Sequence, residues 1–341
     1  MKILFLIGNG FDLNVGLNTR YKDALNFYLN EQHSDVRIKR FKEDINGNFK
    51  NWSDFEKQLG IYTEKLNASD IDAFCFCVKH FKDSLIRYLK NEEKRINFEN
   101  HREEIIHTFN TSLSNFYVNL NVYSQNLFKQ MMTIRDAQMR IEYDFITFNY
   151  TSVLTKCLDF VAKQSIQQGQ TTQKPRIGQI LHIHGDITKN PLMGVDNAEQ
   201  IKNQDFANSD KINNLIIKPI VNKKLKNYND ITAIQLIDSS DIICLFGLSL
   251  GDTDKTWWKH IGNRLFANAQ LVIFNVVDKW NPIHADEEIG NIEREINKFY
   301  DVSNIGENIR QDIEINIHIG LNTDLFKVNL VYNTTPKSTS K

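Results

Sequence analysis

The chain is poor in the features that would mark a metal ribbon, a disulfide scaffold, a membrane span or a duplex-binding surface. Its four cysteines, Cys75, Cys77, Cys157 and Cys244, form no CxxC pair, which argues against a zinc ribbon and implies no disulfide framework. No metal is expected. Cys75 and Cys77 sit in an apolar run and read as small core residues, and a reducing cytoplasmic setting fits. The net charge of −1 gives no basic excess for a nucleic-acid backbone, so nucleic acid is not an expected partner. Long apolar runs are missing as well. Ile3 to Ile7 is only five residues before Gly8 and Asn9, too short for a signal sequence or a span. No later run reaches eighteen, so no membrane association is expected. Disorder is excluded by the 22 Phe and 11 Tyr, which can bury enough surface to offset chain entropy.

Proline is absent from residues 50–140, and Gly60 is the one glycine there. Apolar residues recur at helical spacing: Trp52, Phe55 and Leu59; Phe74, Val78, Phe81, Leu85 and Tyr88; then Ile105, Phe109, Leu113, Phe116 and Leu120. Three or four helices follow from this pattern. The flanks read differently. Residues 2–7 form a continuous apolar strand of the kind covered on both faces in a parallel sheet. A helix is expected from Tyr21 to Glu31, with Thr19 as its N-cap. Strands are expected at 143–148, 179–183, 215–221, 242–246, 271–277, 313–318 and 326–332. Helices are expected at Asp230–Ser239 and Asp252–Asn268, and a polar loop at 164–178. The alternation predicts a doubly wound parallel α/β sheet of Rossmann type with a large helical insertion. Residues 1–48 and 142–333 would form the α/β domain, 49–141 the insertion, and 334–341 a disordered tail.

Five polar clusters fall at predicted strand ends, where ligands bind in such sheets. Gly8-Asn9-Gly10-Phe11-Asp12 leads to Gly16 and Thr19; a glycine turn lets backbone N–H groups approach phosphate. Its third glycine arrives at 16 rather than 13, off the G-x-G-x-x-G spacing, and a plain tight turn is the alternative. Asn149 in Phe148-Asn149-Tyr150-Thr151 could hold a ribose or a water, or simply shape a turn. In His182-Ile183-His184-Gly185, strand alternation puts both imidazoles on one face. His184 is the better base because Gly185 clears space beside it, and His182 reads as structural. Gly247 and Ser249 could meet a phosphate or ribose, while Asp252 and Asp254 read as helix caps. Asn275 could receive an adenosine ribose or be a satisfied core residue.

The order of these clusters resembles the sirtuin-like NAD-binding domains, in which a glycine turn, an Asn loop, a His before Gly, a G-x-S loop and a late Asn follow one another. The matching positions are Gly8 and Gly10, Asn149, His184, Gly247 with Ser249, and Asn275. More specifically, the chain is similar to the AbiH family of bacteriophage abortive-infection proteins. The stretches that carry this are Ile7–Leu13 with Gly16–Tyr21, Trp52-Ser53-Asp54-Phe55-Glu56, Phe148–Thr151, His182–Gly185, Gly194-Val195-Asp196, and Gly247–Leu250 with Asp252 and Asp254. The four-cysteine zinc module of deacylating sirtuins is missing, and Thr19-Arg20-Tyr21 replaces the segment that carries their arginine. The resemblance therefore implies cleavage of NAD+ by water rather than deacylation.

What it implies is an antiviral defence protein, an NAD+ glycohydrolase (NADase) with NAD+ as substrate. His184 and Asn149 would be catalytic. Gly8, Asn9, Gly10, Asp12, Thr19, Gly247, Ser249 and Asn275 would bind the nucleotide, with Asp12 toward the nicotinamide side. A phage-derived trigger and a homo-oligomer are the further partners this implies. The alternative is a non-catalytic NAD or ADP-ribose sensor module.

Overall fold

The computed structural model describes residues 1–331 apart from 51, 53, 137–140, 168–174, 190 and 279–283. Ser53, the middle of the polar loop and the tail from Thr334 lie outside the described residues.

The buried apolar run Lys2–Ile7 forms β1. Between it and β2 (Glu142–Thr147) stand, among the described residues, the α-helices α1 (Gly10–Asn14), α2 (Tyr21–Asn30), α3 (Val36–Gly47), α4 (Phe55–Tyr62), α5 (Ile71–Glu93), α6 (Arg102–Ser114) and α7 (Val122–Asp136). Helix α8 (Val153–Gln167) leads to β3 (Arg176–His182). Then come α9 (Gln204–Ala207), α10 (Asp210–Ile216), α11 (Lys218–Leu225) and α12 (Asn229–Ser239). The chain continues through β4 (Ile242–Phe246), α13 (Lys255–Leu265), β5 (Gln270–Asn275), α14 (Ala285–Ser303), α15 (Glu307–Glu314) and β6 (Ile317–Leu321).

The six strands form one parallel sheet in the order β3-β2-β1-β4-β5-β6. The order reverses between β1 and β4, the position where doubly wound sheets bind ligands. Both faces are covered, which is why β1 from Ile3 onward and all of β4 are apolar. Ile3, Phe5 and Ile7 point into a core with α6, α8 and residues 325–331, and Leu4 and Leu6 into a second core with α12, α13 and α14. A third core joins α2–α5 to residues 187–217 away from the sheet, with the Phe55 and Phe81 rings stacked.

Several expected elements differ. Residues 215–221 are not a strand. Asp210 to Ile216 and Lys218 to Leu225 are helical, and Pro219 stands in the first turn of α11, where a missing N–H costs nothing. The apolar pattern there serves two short helices in the third core, and one residue, Ile217, bridges to Val195. Residues 313–318 split between the end of α15 and the start of β6, so the strand runs four residues later than its alternation suggests. Residues 326–331 bury apolar side chains in the first core without joining the sheet. Val331 makes an isolated bridge to Ile96. Thr19 does not cap α2: Arg20 takes that position, and the Thr19 hydroxyl donates instead to Asn9 Oδ1 at 2.6 Å. Among the described residues no helix is long and apolar enough to cross a membrane.

Candidate active site

The carboxyl ends of β1, β2, β4 and β5 and the turn after β3 open into one cleft of about 850 Å³, within the range of small-molecule and cofactor sites. All ten predicted site residues line it: Gly8, Asn9, Gly10, Asp12, Thr19, Asn149, His184, Gly247, Ser249 and Asn275. Helices α2, α4 and α5 line it too, through Tyr21, Lys22, Glu56 and Leu89, with Arg20 at the start of α2.

The glycines have a packing cause that the sequence did not suggest. A Cβ on Gly8 would stand 2.5 Å from Gly247 O, and one on Gly10 2.4 Å from Gly247 Cα. Gly247 itself has φ +66°, a conformation that favours glycine. The Gly8 and Gly10 N–H groups donate to the carbonyls of Phe246 and Gly247, each at 2.9 Å. These two amides therefore lock the β1 and β4 turns together instead of facing a ligand. The Asn9 side chain holds Thr19, and Asn275 Oδ1 accepts the Val276 N–H at 2.8 Å. Ser249 is exposed at the cleft.

Asp12 lies on the first turn of α1, fully buried. Its Oδ2 accepts the Thr151 hydroxyl at 2.7 Å, and Oδ1 has no partner among the described residues. Burial pushes its carboxyl up to about 7, against the opposing effect of Thr151. Asn149 is close enough to favour the charged form as well, yet its Nδ2 completes no hydrogen bond among the described residues.

The two histidines part ways because β3 ends at His182. The His182 ring pairs with Thr155 Oγ1 at 2.8 Å on α8, and burial lowers its affinity for protons. His184 stands in the following turn, so strand alternation does not set its direction. Its Nε2 lies 2.9 Å from Asp254 Oδ1, and its Nδ1 has no partner among the described residues. A carboxylate only accepts, so Nε2 carries a proton, and in the neutral form of the ring the lone pair falls on Nδ1.

Neither Asp252 nor Asp254 caps a helix with its side chain. Asp252 pairs with Lys57 at 2.7 Å and Lys255 at 3.0 Å. Asp254 takes the N-cap position of α13, but its carboxylate turns to His184 and to Lys218 Nζ at 3.0 Å. From Lys218 the chain continues to Glu56 Oε2 at 2.9 Å, and Glu56 Oε1 accepts from Tyr21 at 2.7 Å and Tyr150 at 2.8 Å. Burial disfavours charge on Asp254, but Lys218 and His184 hold its carboxyl well below the usual range. Burial likewise opposes the Lys218 ammonium, and Asp254 and Glu56 hold its proton firmly. Burial and the Glu56 charge keep both tyrosines protonated, hence donors.

Sequence reasoning missed Tyr21, Glu56, Tyr150 and Lys218 as members of the site and mistook the role of Asp254. One signal was available: Lys218 is a lone cation within the apolar run Leu215–Val221, and a lysine in such a run must pair. Among the described residues no group of His, Cys, Asp and Glu could hold a metal ion.

A family model described as Bacteriophage abortive infection AbiH matches residues 4–275. No curated protein and no solved structure matches the chain.

Proposed function

The chain belongs to the bacteriophage abortive infection AbiH family, and from that premise we propose that its cleft binds NAD+ and hydrolyses the nicotinamide–ribose bond. Its biological setting is defence against bacteriophage by abortive infection. The sirtuin-like order of the strand-end clusters supports the choice of nucleotide, and the cleft gathers those clusters at the switch point of the sheet. The observation that carries the reading is the His184–Asp254 pair: a buried imidazole on a residue that lines the cleft, oriented through Nε2, with no partner for Nδ1 among the described residues.

In the proposed reaction the C1′–N1 bond breaks and its electron pair goes to the pyridine nitrogen. Nicotinamide leaves neutral and needs no general acid. The ribose passes through an oxocarbenium-like state. A water oxygen bonds to C1′, and His184 Nδ1 takes its proton. The products are nicotinamide, ADP-ribose and one proton. Asn149 Nδ2, beside Asp12 and with no hydrogen bond completed among the described residues, is the donor for the ribose or the water. Arg20 and Lys22 bring positive charge to the cleft for the pyrophosphate, a task that the engaged Gly8 and Gly10 amides leave open.

Nicotinamide release from NAD+ by the purified protein, alone and with lysate of phage-infected cells, tests this. His184→Ala is expected to lower turnover by about 10²–10⁴-fold, the usual span for a general base, while the fold persists. Turnover equal to wild type in that variant would sink the assignment. Intact NAD+ together with a raised melting temperature would instead identify a sensor that binds without cleaving.

A further inference from the structure

Lys218 and Glu56 have no part in the reaction as written, yet they stand in a buried chain of charges that ends on His184. Lys218 does not line the cleft. It is a fully enclosed ammonium between two carboxylates, Glu56 of α4 at 2.9 Å and Asp254 at 3.0 Å. Such an arrangement is costly to desolvate and is weak evidence of a stabilising role, so its placement calls for another cause.

The backbone around Lys218 is clamped on both sides. Val195 N–H donates to Ile216 O at 2.7 Å, and Lys218 N–H donates to Val195 O at 3.0 Å. Gly194 makes the clamp feasible, since a Cβ there would lie 2.0 Å from Ile216 O. Helix α4 is seated in the same way: a Cβ on Gly60 would lie 2.2 Å from Gln200 O, and Gly60 O accepts the Lys202 N–H at 3.1 Å. Asp196 ties this segment to α13 through Thr256 Oγ1 at 2.9 Å. The three members of the chain thus come from separate elements held in fixed register.

We infer that Lys218 and Glu56 are positioning residues for His184, fixing Asp254 against its Nε2 and making the strength of the base depend on the seating of α4. The inference rests on the reading of His184 as the base. Lys218 draws on the negative charge of Asp254, so the imidazolium form of His184 gains less from that carboxylate. Glu56 in turn draws on Lys218. Removing the cation strengthens the hold of Asp254 on a ring proton, and removing the Glu56 charge weakens it. The other charged groups around His184 are Asp230 on α12, which senses it electrostatically, and Asp196, which couples to Lys218 and Asp254. Neither changes in the variants below.

The test uses Lys218→Met, Glu56→Gln and the double variant of the full chain. The acid limb of kcat/KM for nicotinamide release is expected to move to higher pH in Lys218→Met and to lower pH in Glu56→Gln, each by about one pH unit. KM in Lys218→Met stays within about twofold, and kcat falls by up to about tenfold at pH below the acid limb. Lys218→Met leaves Glu56 buried without a counter-charge, so the double variant, which removes both charges, secures a folded comparison. Its acid limb lies between wild type and Lys218→Met. The ring signals of His184 in 13C-labelled protein, assigned by their loss in His184→Ala, are expected to titrate in the same order. Shifts in one direction for both single variants, or in neither, overturn the inference. If wild type releases no nicotinamide, the NAD+ reading fails by itself, and the ring titration still decides whether the charge chain governs His184.

Discussion

Asp12 shows at the scale of one residue how a binding position and a stability cost coincide. Its carboxyl is raised to about 7 from an ordinary 3.8, chiefly by burial. In the unfolded chain the same group loses its proton near 4. The folded state therefore holds more protons between pH 4 and 7, and stability falls as pH rises through that window. The full cost above pH 7 is about 4 kcal/mol. Asp12→Asn keeps an acceptor for Thr151 and removes the ionisation. Urea unfolding is expected to show the variant equal to wild type at pH 4 and more stable at pH 8, with the gap opening between them. A gap that does not depend on pH would refute the burial account. Asp254 illustrates the opposite case: equally enclosed, it stays charged because a cation and an imidazole meet it. Composition placed both aspartates near strand ends, and their surroundings alone separate them.

At the scale of elements, α7 is pinned to the sheet by a polar group inside an aromatic core. His318 of β6 shares a hydrogen bond with Ser124 Oγ of α7 at 2.7 Å and another with Gln270 Oε1 of β5 at 2.9 Å, with the Phe128 ring against it. Burial lowers its ring to about 4. The unfolded chain binds a proton below pH 6.5 while the folded ring does not, so stability is full above that pH and is lost as pH falls toward 4. The loss amounts to about 3 kcal/mol. His318→Gln is expected to unfold with less acid sensitivity than wild type between pH 6.5 and 4, read from urea midpoints at each pH. An unchanged acid slope would show that the ring is not held neutral. The slopes from Asp12 and His318 oppose each other in this window. The two variants are therefore needed to separate the two contributions.

At the scale of the whole molecule, the cleft exists because two turns on neighbouring strands meet where the strand order reverses. Gly8, Gly10 and Gly247 let the β1 and β4 turns touch backbone to backbone. Gly10→Ala puts a methyl 2.4 Å from Gly247 Cα, with backbone rather than a flexible side chain as the obstacle. The expected loss is about 2 kcal/mol or more, seen as a lower urea midpoint together with weaker NAD+ binding. Gly47→Ala, where a Cβ meets nothing within 4 Å, is the matched control and should be neutral or slightly stabilising. Equal midpoints for the two variants would remove the packing explanation of the glycine turn.

The sequence by itself determined the parallel sheet, the helical region between β1 and β2, and the strand ends at which polar residues collect. An unbroken apolar run and period-3.6 spacing without proline or glycine are local signals, which residues 3–7 and 242–246 display on the one hand and Ile71–Glu93 on the other. Where a pattern was short, as at 215–221 and 326–331, apolar residues fitted a helix or a covered coil equally well, and the neighbours decided. The charge chain was beyond local reasoning. Glu56, Lys218 and Asp254 are separated by 162 and 36 positions, and their pairing depends on close backbone approaches at Gly60 and Gly194. The glycine turn was legible as a turn at the end of a strand. Tertiary structure decided what its amides bond to and which imidazole pairs with a buried carboxylate, because both depend on groups that only folding brings within 3 Å.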